Sequence, residues 1–190
     1  MGIPHPRPFL SVEDYLNGEP LSDVRHDYIH GDVYAMAGAT ANHNLISGNA
    51  FAALHAHLRG KPCRVFMADM KVRMLVQQRD VFYYPDVVVG CDERDTDPLF
   101  LRFPKLVIEV SSPSTERLDS HEKFFTYTTI PTLEEYVLID QSRPAVTLFR
   151  RSNGWKLELI DDPTALIHLH SVGLSLPLAQ FYENWNPAAV

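Results

Sequence analysis

Two apolar runs, each interrupted by a single acid, constrain this chain more than any other feature. The first is Val81-Phe-Tyr-Tyr-Pro-Asp86-Val-Val-Val-Gly90 and the second is Pro104-Lys-Leu-Val-Ile-Glu109-Val110. Short apolar runs of this kind read as buried strands. A carboxylate set into a buried strand is costly unless it is paired or bound to a metal. Two such acids close together, followed by Ser112-Pro-Ser-Thr-Glu116 and a segment carrying Asp119 and Lys123, point to a site.

The remaining pattern supplies a frame around those runs. Residues 1–10 hold three prolines and predict an irregular arm. Ser11-Val-Glu-Asp14 fits a capping box for a short helix ending near Asn17-Gly18. Residues 25–34 read as a hairpin turning at His30-Gly31 or Gly31-Asp32, with Asp27 on one strand. The longest helical pattern covers 42–58, where Ile46, Ala50, Ala53, Leu54 and Leu58 share one face and His43 sits in the first turn. A histidine at a helix end, His43, His55 and His57 included, more often caps or faces solvent than binds a ligand.

Strands are expected at 64–67 and 69–76. After a turn at 77–80, a single return strand at 81–89 would make a meander in which Asp69, Lys71 and Asp86 approach one another. Residues 92–97 form a charged loop. The strand at 106–110, a helix from 115 to 127 and a strand over 135–140 predict a βαβ unit with parallel pairing. Short antiparallel strands follow at 145–150, 155–160 and 165–170, and a small helix at 176–184. No repeat or linker divides the chain, so one domain over 1–190 is expected, of mixed α/β class.

Composition narrows the function. With 190 residues and 45% hydrophobic content the chain is globular, and no stretch approaches the roughly 18 apolar residues of a membrane span. The N-terminus lacks the apolar core of a signal peptide, so a cytoplasmic location is expected. Cys63 and Cys91 have neither disulfide-framework nor zinc-site spacing, and reduced thiols are expected. A net charge of -7 argues against a general nucleic-acid binder held by bulk electrostatics, yet leaves room for a nuclease whose acids gather at a metal.

Carboxylates on neighbouring strands can bind a hard divalent cation through oxygen, with water completing the shell. Such an ion polarises a phosphoryl oxygen and lowers the pKa of an attacking water. A nearby lysine can orient that water or stabilise developing charge. The structural alternative is that Asp86 and Glu109 form ion pairs while Lys123 pairs with Asp119 on a solvated helix face. Other chemistries fare worse. Ser111, Ser112 and Ser114 with His121 lack the Gly-x-Ser-x-Gly elbow, no Gly-rich phosphate loop is present, and His168 and His170 lack a third ligand.

An ordered set of segments resembles the Uma2 family of the PD-(D/E)xK, restriction-endonuclease-like superfamily. They are Gly31-Asp-Val-Tyr-Ala-Met-Ala-Gly-Ala-Thr40 with His43, Asp69-Met-Lys-Val-Arg73, Tyr84-Pro-Asp86-Val, Glu109-Val-Ser-Ser-Pro-Ser-Thr115, Asp119 with Lys123, and Glu135-Tyr-Val-Leu-Ile-Asp140. The resemblance implies a central mixed β-sheet flanked by helices, with extra antiparallel strands. It implies Asp86 and Glu109 as metal ligands, the Val110 carbonyl as a third, and Mg2+ or Mn2+ as the ion. The superfamily lysine two residues after the glutamate is here Ser111. Lys123 is therefore the expected catalytic lysine, with Lys71 its rival. Asp27, where relatives carry Glu, and Asp69 are expected accessory acids, and His43 an accessory residue.

The function expected is a metal-dependent endonuclease hydrolysing DNA, in which a homodimer would suit cutting both strands. The alternative is a nuclease-like domain of weak or absent activity that serves in binding or assembly.

Overall fold

The computed structural model describes residues 9–111 and 119–188, except for the side chains of 119–121. Helix α1 (Val12–Gly18) starts on Ser11, whose hydroxyl accepts the Asp14 amide. Strands β1 (His26–Ile29) and β2 (Asp32–Ala35) form the expected hairpin. His30 and Gly31 make its turn with φ of 57° and 103°. Gly31 is required twice over, because a Cβ there would also lie 2.4 Å from the Phe9 ring.

Thr40 then caps α2 (Ala41–Leu58) by accepting the His43 amide, and Ile46, Ala50, Leu54 and Leu58 are buried along it. Strand β3 (Arg64–Met67) leads to β4 (Lys71–Val76) and β5 (Arg79–Tyr83). Gln77 and Gln78 join these two strands, both at positive φ, as a tight two-residue turn requires. Arg79 and Asp80, expected in the turn, belong to the strand.

The single return strand expected over 81–89 is instead two strands in two sheets. β5 ends at Tyr83, and β6 (Val87–Gly90) starts beyond Tyr84-Pro85-Asp86. Proline has no N–H to donate and restricts the residue before it, so the ladder stops and the chain changes sheet. Strands β7 (Phe100–Leu101), β8 (Pro104–Ser111) and β9 (Glu135–Asp140) follow, with α3 (Asp119–Thr128) between the last two. Pairing of β8 with β9 is parallel, as the βαβ reading predicts. The helix start expected around 112–118 lies outside the described residues.

Beyond these, β10 (Val146–Arg150) and β11 (Leu157–Ile160) extend the same sheet. β12 (Leu166–Leu169) pairs with β13 (Leu174–Pro177), and α4 (Leu178–Phe181) closes the fold. Leu176 and Pro177 are strand residues rather than the start of the terminal helix.

The result is a six-stranded mixed sheet, β11-β10-β9-β8-β6-β3, and a five-stranded sheet, β2-β1-β5-β4-β7. Strict alternation divides the core. Val87, Val89, Leu106, Ile108 and Val110 pack toward α2, whereas Val88, Val107 and Tyr136 pack with Val72, Tyr83 and Tyr127 between the sheets and α3. Full burial of each such side chain stabilises by about 1.5–3 kcal/mol. The outer face of the five-stranded sheet holds Tyr28, Phe82 and Phe100 under Tyr15 of α1.

The expectation of reduced thiols is overturned, since Cys63 and Cys91 form a disulfide. Antiparallel pairing of β3 with β6 sets Arg64 opposite Gly90, which brings the two cysteines flanking that pair together across 28 residues of sequence. No helix among the described residues is long and apolar enough to cross a membrane.

Candidate functional site

Asp86 stands where the chain passes from one sheet to the other. Its backbone carbonyl accepts the Ala68 amide at 3.1 Å, and its carboxylate accepts the Val110 amide at 2.7 Å. The Asp86 backbone lies against the Glu109 carboxyl. The clasp of Asp86 on Val110 follows from the β6–β8 register, in which Val87 faces Ile108. It holds the two acids side by side at the end of the ladder.

Alternation puts Glu109 on the face opposite Ile108 and Val110, as expected, toward α3 and the five-stranded sheet. Its Oε1 is shielded from solvent and accepts no hydrogen bond among the described residues. Burial pushes the Glu109 carboxyl up to about 8 against the opposing pull of Lys123, and the charges of Asp86 and Asp27 add to the rise. Tyr127 is fully buried beside it, and its phenol is pushed well up by burial and then by the Glu109 charge.

Lys123 reaches this cluster from α3. Its ammonium pairs with Asp27 at 3.1 Å, the two side chains only 14% and 12% exposed, and lies 5.2 Å from the centre of the Tyr83 ring. The other Asp27 oxygen accepts the Tyr84 amide at 3.2 Å. Asp27 therefore ties the hairpin both to the chain just before Asp86 and to the lysine.

His43 joins from the first turn of α2, where its side chain is largely withdrawn from solvent instead of facing it as expected. Its Nε2 lies 3.2 Å from the Asp86 carboxylate, and the ring also lies against the Val110 backbone. Burial lowers the His43 pKa, but the hydrogen bond and charge of Asp86 with the Val110 contact outweigh it and leave it raised. The helix end is held by Thr40, whose hydroxyl donates to buried Gln141 at 2.7 Å. Trp185 donates to the Gln141 carbonyl at 2.8 Å. Only the fold reveals this brace, because Gln141 lies 101 residues from Thr40.

Asp69 and Lys71 are placed elsewhere. Asp69 pairs with Arg25 at 2.9 Å and is 71% exposed. Val72 faces Tyr83 across β4–β5 on the Lys123 side, so Lys71 points to the other face of the strand. There it is buried, with its ammonium 5.0 Å from the centre of the Tyr84 ring. Burial lowers its pKa despite the opposing charge of Glu19. The meander expected to gather Asp69, Lys71 and Asp86 does not do so, because Pro85 carries Asp86 away with the second sheet. Lys123 has Asp27 as a partner, and the expected pairing with Asp119 falls outside the described residues because that side chain is not among them. Glu135, within a matched segment, is buried against Arg150 at 2.9 Å and accepts the Ser171 amide, an arrangement that holds strands together. Exposed His168 sits 2.8 Å from Ser175.

The donor set suits a hard cation: two adjacent carboxylates, one with a shielded and unengaged oxygen, and the Val110 carbonyl. Among the described residues no three side chains of His, Cys, Asp and Glu are grouped as a metal cage. An ion here would thus rely on the backbone carbonyl and water to complete its shell.

Comparison with known proteins shows which family and fold the chain shares. The Uma2 family, described as "Putative restriction endonuclease", matches residues 12–179. The uncharacterized protein slr1290 of Synechocystis sp. (strain ATCC 27184 / PCC 6803 / Kazusa) is 35% identical over 180 residues, covering 94% of each chain. A second uncharacterized protein of that organism, sll1609, is 34% identical over 135 residues, 70% of this chain and 75% of its own. In fold, the chain is similar to a crystal structure from Anabaena variabilis ATCC 29413 described as "a putative nuclease belonging to DUF820". The TM-score is 0.73 at 19% identity, over 85% of this chain and 92% of that one. With the match spanning almost all of the described fold, this chain belongs to the Uma2 family.

Proposed function

We propose that the protein is a divalent-metal-dependent nuclease that hydrolyses phosphodiester bonds of DNA. The observation that carries this reading is the buried, unengaged Glu109 oxygen beside Asp86, with Lys123 held near it by Asp27. A buried carboxylate without a partner is costly, and a bound cation is the partner this donor set fits. Asp86, Glu109 and the Val110 carbonyl would hold Mg2+ or Mn2+, which supplies Lewis-acid polarisation of phosphate and a more acidic bound water.

The side chains have separable parts in this reaction. Asp86 and Glu109 present oxygen to the ion and are kept in register by the bond from the Val110 amide to Asp86. Lys123, fixed by Asp27, faces the same space and can orient the attacking water or offset charge on the phosphate. His43 sets an imidazole 3.2 Å from the Asp86 carboxylate. Asp27 acts through Lys123, while Asp69 and Lys71 are left with structural parts.

The His43 contacts support a second reading. The ring already engages Asp86 and Val110, so a nuclease-like domain with weak metal affinity, used for binding or assembly, fits the same geometry. Cleavage of plasmid and oligonucleotide DNA with Mg2+ or Mn2+ tests the first reading, with Asp86→Ala and Glu109→Ala beside the wild type. Equal activity in all three overturns it. Calorimetric titration with Mn2+ separates the two readings: millimolar or tighter binding that vanishes in Asp86→Ala favours the nuclease, and no binding favours the second.

A further inference from the structure

The hairpin register puts Tyr34 directly opposite Asp27. Residues directly opposite in an antiparallel pair project from the same face, with Cβ atoms roughly 4.5–5.5 Å apart. Asp27 is the acid that pairs with Lys123. The same face continues through Tyr83, over which the Lys123 ammonium lies, to Val72 and Leu101. Asp27, Tyr83, Val72 and Leu101 are all buried, whereas Tyr34 is 52% exposed. The row thus has one solvent-facing end, and an aromatic ring stands there.

The ring has no structural work among the described residues, where it makes neither a side-chain hydrogen bond nor a ring contact. Every residue of β2 is exposed, and this strand lies at the edge of its sheet. A phosphate brought to Asp86, Glu109 and Lys123 carries a sugar and base within a few ångströms on each side, so one neighbouring base reaches the Tyr34 side of the cluster. Aromatic side chains bind bases by stacking on their faces, independently of sequence. A base within an intact duplex is already stacked on its neighbours and does not present that face.

We propose that Tyr34 is a substrate-contacting residue that stacks on an unpaired nucleobase beside the scissile phosphate, and that the preferred substrate is DNA with unpaired nucleotides rather than intact duplex. This rests on the nuclease reading above and extends it to substrate class. Stacking tolerates any base, so the preference is for strand state and not for sequence.

The test measures binding of oligonucleotides carrying 2-aminopurine, single-stranded and duplex, with Ca2+ in place of Mg2+, alongside Mg2+-dependent cleavage by the wild type. Expected are tighter binding and stronger fluorescence quenching for the single strand, both lost in Tyr34→Ala with about ten- to hundredfold weaker binding. Tyr34→Phe keeps both. Val33→Ala, on the neighbouring residue that faces Tyr28 on the other side of the sheet, binds like the wild type. A wild type that cuts DNA while Tyr34→Ala retains full affinity and quenching overturns the stacking role alone. Equal affinity for single strand and duplex overturns the substrate class. A wild type that neither binds nor cuts overturns both this inference and the nuclease reading.

Discussion

Lys123 of α3 and Asp27 of β1 meet at 3.1 Å, 96 positions apart in sequence, with both side chains largely withdrawn from solvent. That contact puts the lysine beside Glu109, on the face of the five-stranded sheet that carries Tyr83 and Val72. Removing one partner of a well-buried pair leaves the other charge poorly solvated and typically costs on the order of 3 kcal/mol. Lys123→Ala is expected to lower thermal stability by that order and DNA cleavage by about a hundredfold or more. Lys71→Met is expected to retain most cleavage, because that side chain lies on the opposite face. Similar losses of specific activity in the two folded variants would remove Lys123 from its role.

Asp86 accepts the Val110 amide, and in the proposed reaction it has a second, separable duty of presenting charge to a cation. Asparagine can still accept the amide, whereas alanine cannot. Asp86→Asn is expected to lose Mn2+ binding while staying within about 1 kcal/mol of the wild type in urea unfolding without metal. Asp86→Ala is expected to lose binding and a further 1.5–3 kcal/mol or so, the worth of a hydrogen bond to a charged group. Retained Mn2+ affinity in Asp86→Asn would show that the ion, if bound, sits elsewhere.

The raised Glu109 carboxyl predicts a pH dependence of stability. In the folded protein it holds its proton up to about 8, whereas its ordinary value is 4.5. Between those values the native state binds more protons than the unfolded chain, so stability falls as pH rises. Without metal, the melting temperature of Glu109→Gln should gain on that of the wild type between about pH 5 and about pH 8. Mn2+ binds the ionised form, so it should raise the wild-type melting temperature more at the upper pH than at the lower. Parallel pH profiles for the two proteins would remove the basis of this argument.

The Cys63–Cys91 disulfide ties β3 to β6, the strand that begins beside Asp86. Closing a loop of 28 residues stabilises by about 3.5 kcal/mol in the chain-entropy account. Reduction, or the Cys63→Ser/Cys91→Ser double variant, should lower stability by about that amount, read from chemical denaturation with and without dithiothreitol. Free thiols titrated in the untreated, denatured protein would show that the bond does not form.

Much of the site was legible in the sequence because it rests on local rules. A buried strand cannot hold a lone carboxylate cheaply, so Asp86 and Glu109 stood out. Alternation separated Glu109 from Ile108 and Val110, and the strand–helix–strand order implied the parallel pairing of β8 with β9. Thr40 and Ser11 marked helix starts by the hydrogen bonds their side chains could make. Each of these inferences needs only neighbours in the chain.

What the tertiary structure decided are the meetings between distant segments. Residues 81–89 read as one strand, but Pro85 ends one ladder and releases Asp86 into another sheet, away from Asp69 and Lys71. The choice between Lys71 and Lys123 depended on which face of β4 looks toward α3, and a shift of one residue would reverse it. His43 became a partner of Asp86, and Cys63 of Cys91, only through packing and pairing across sequence gaps. The sequence by itself marked two acids between Val81 and Val110 as costly to bury without cationic partners, whether side chains or a metal ion. The fold decided which ones lie within reach, because side-chain chemistry is local whereas proximity depends on register and sheet order.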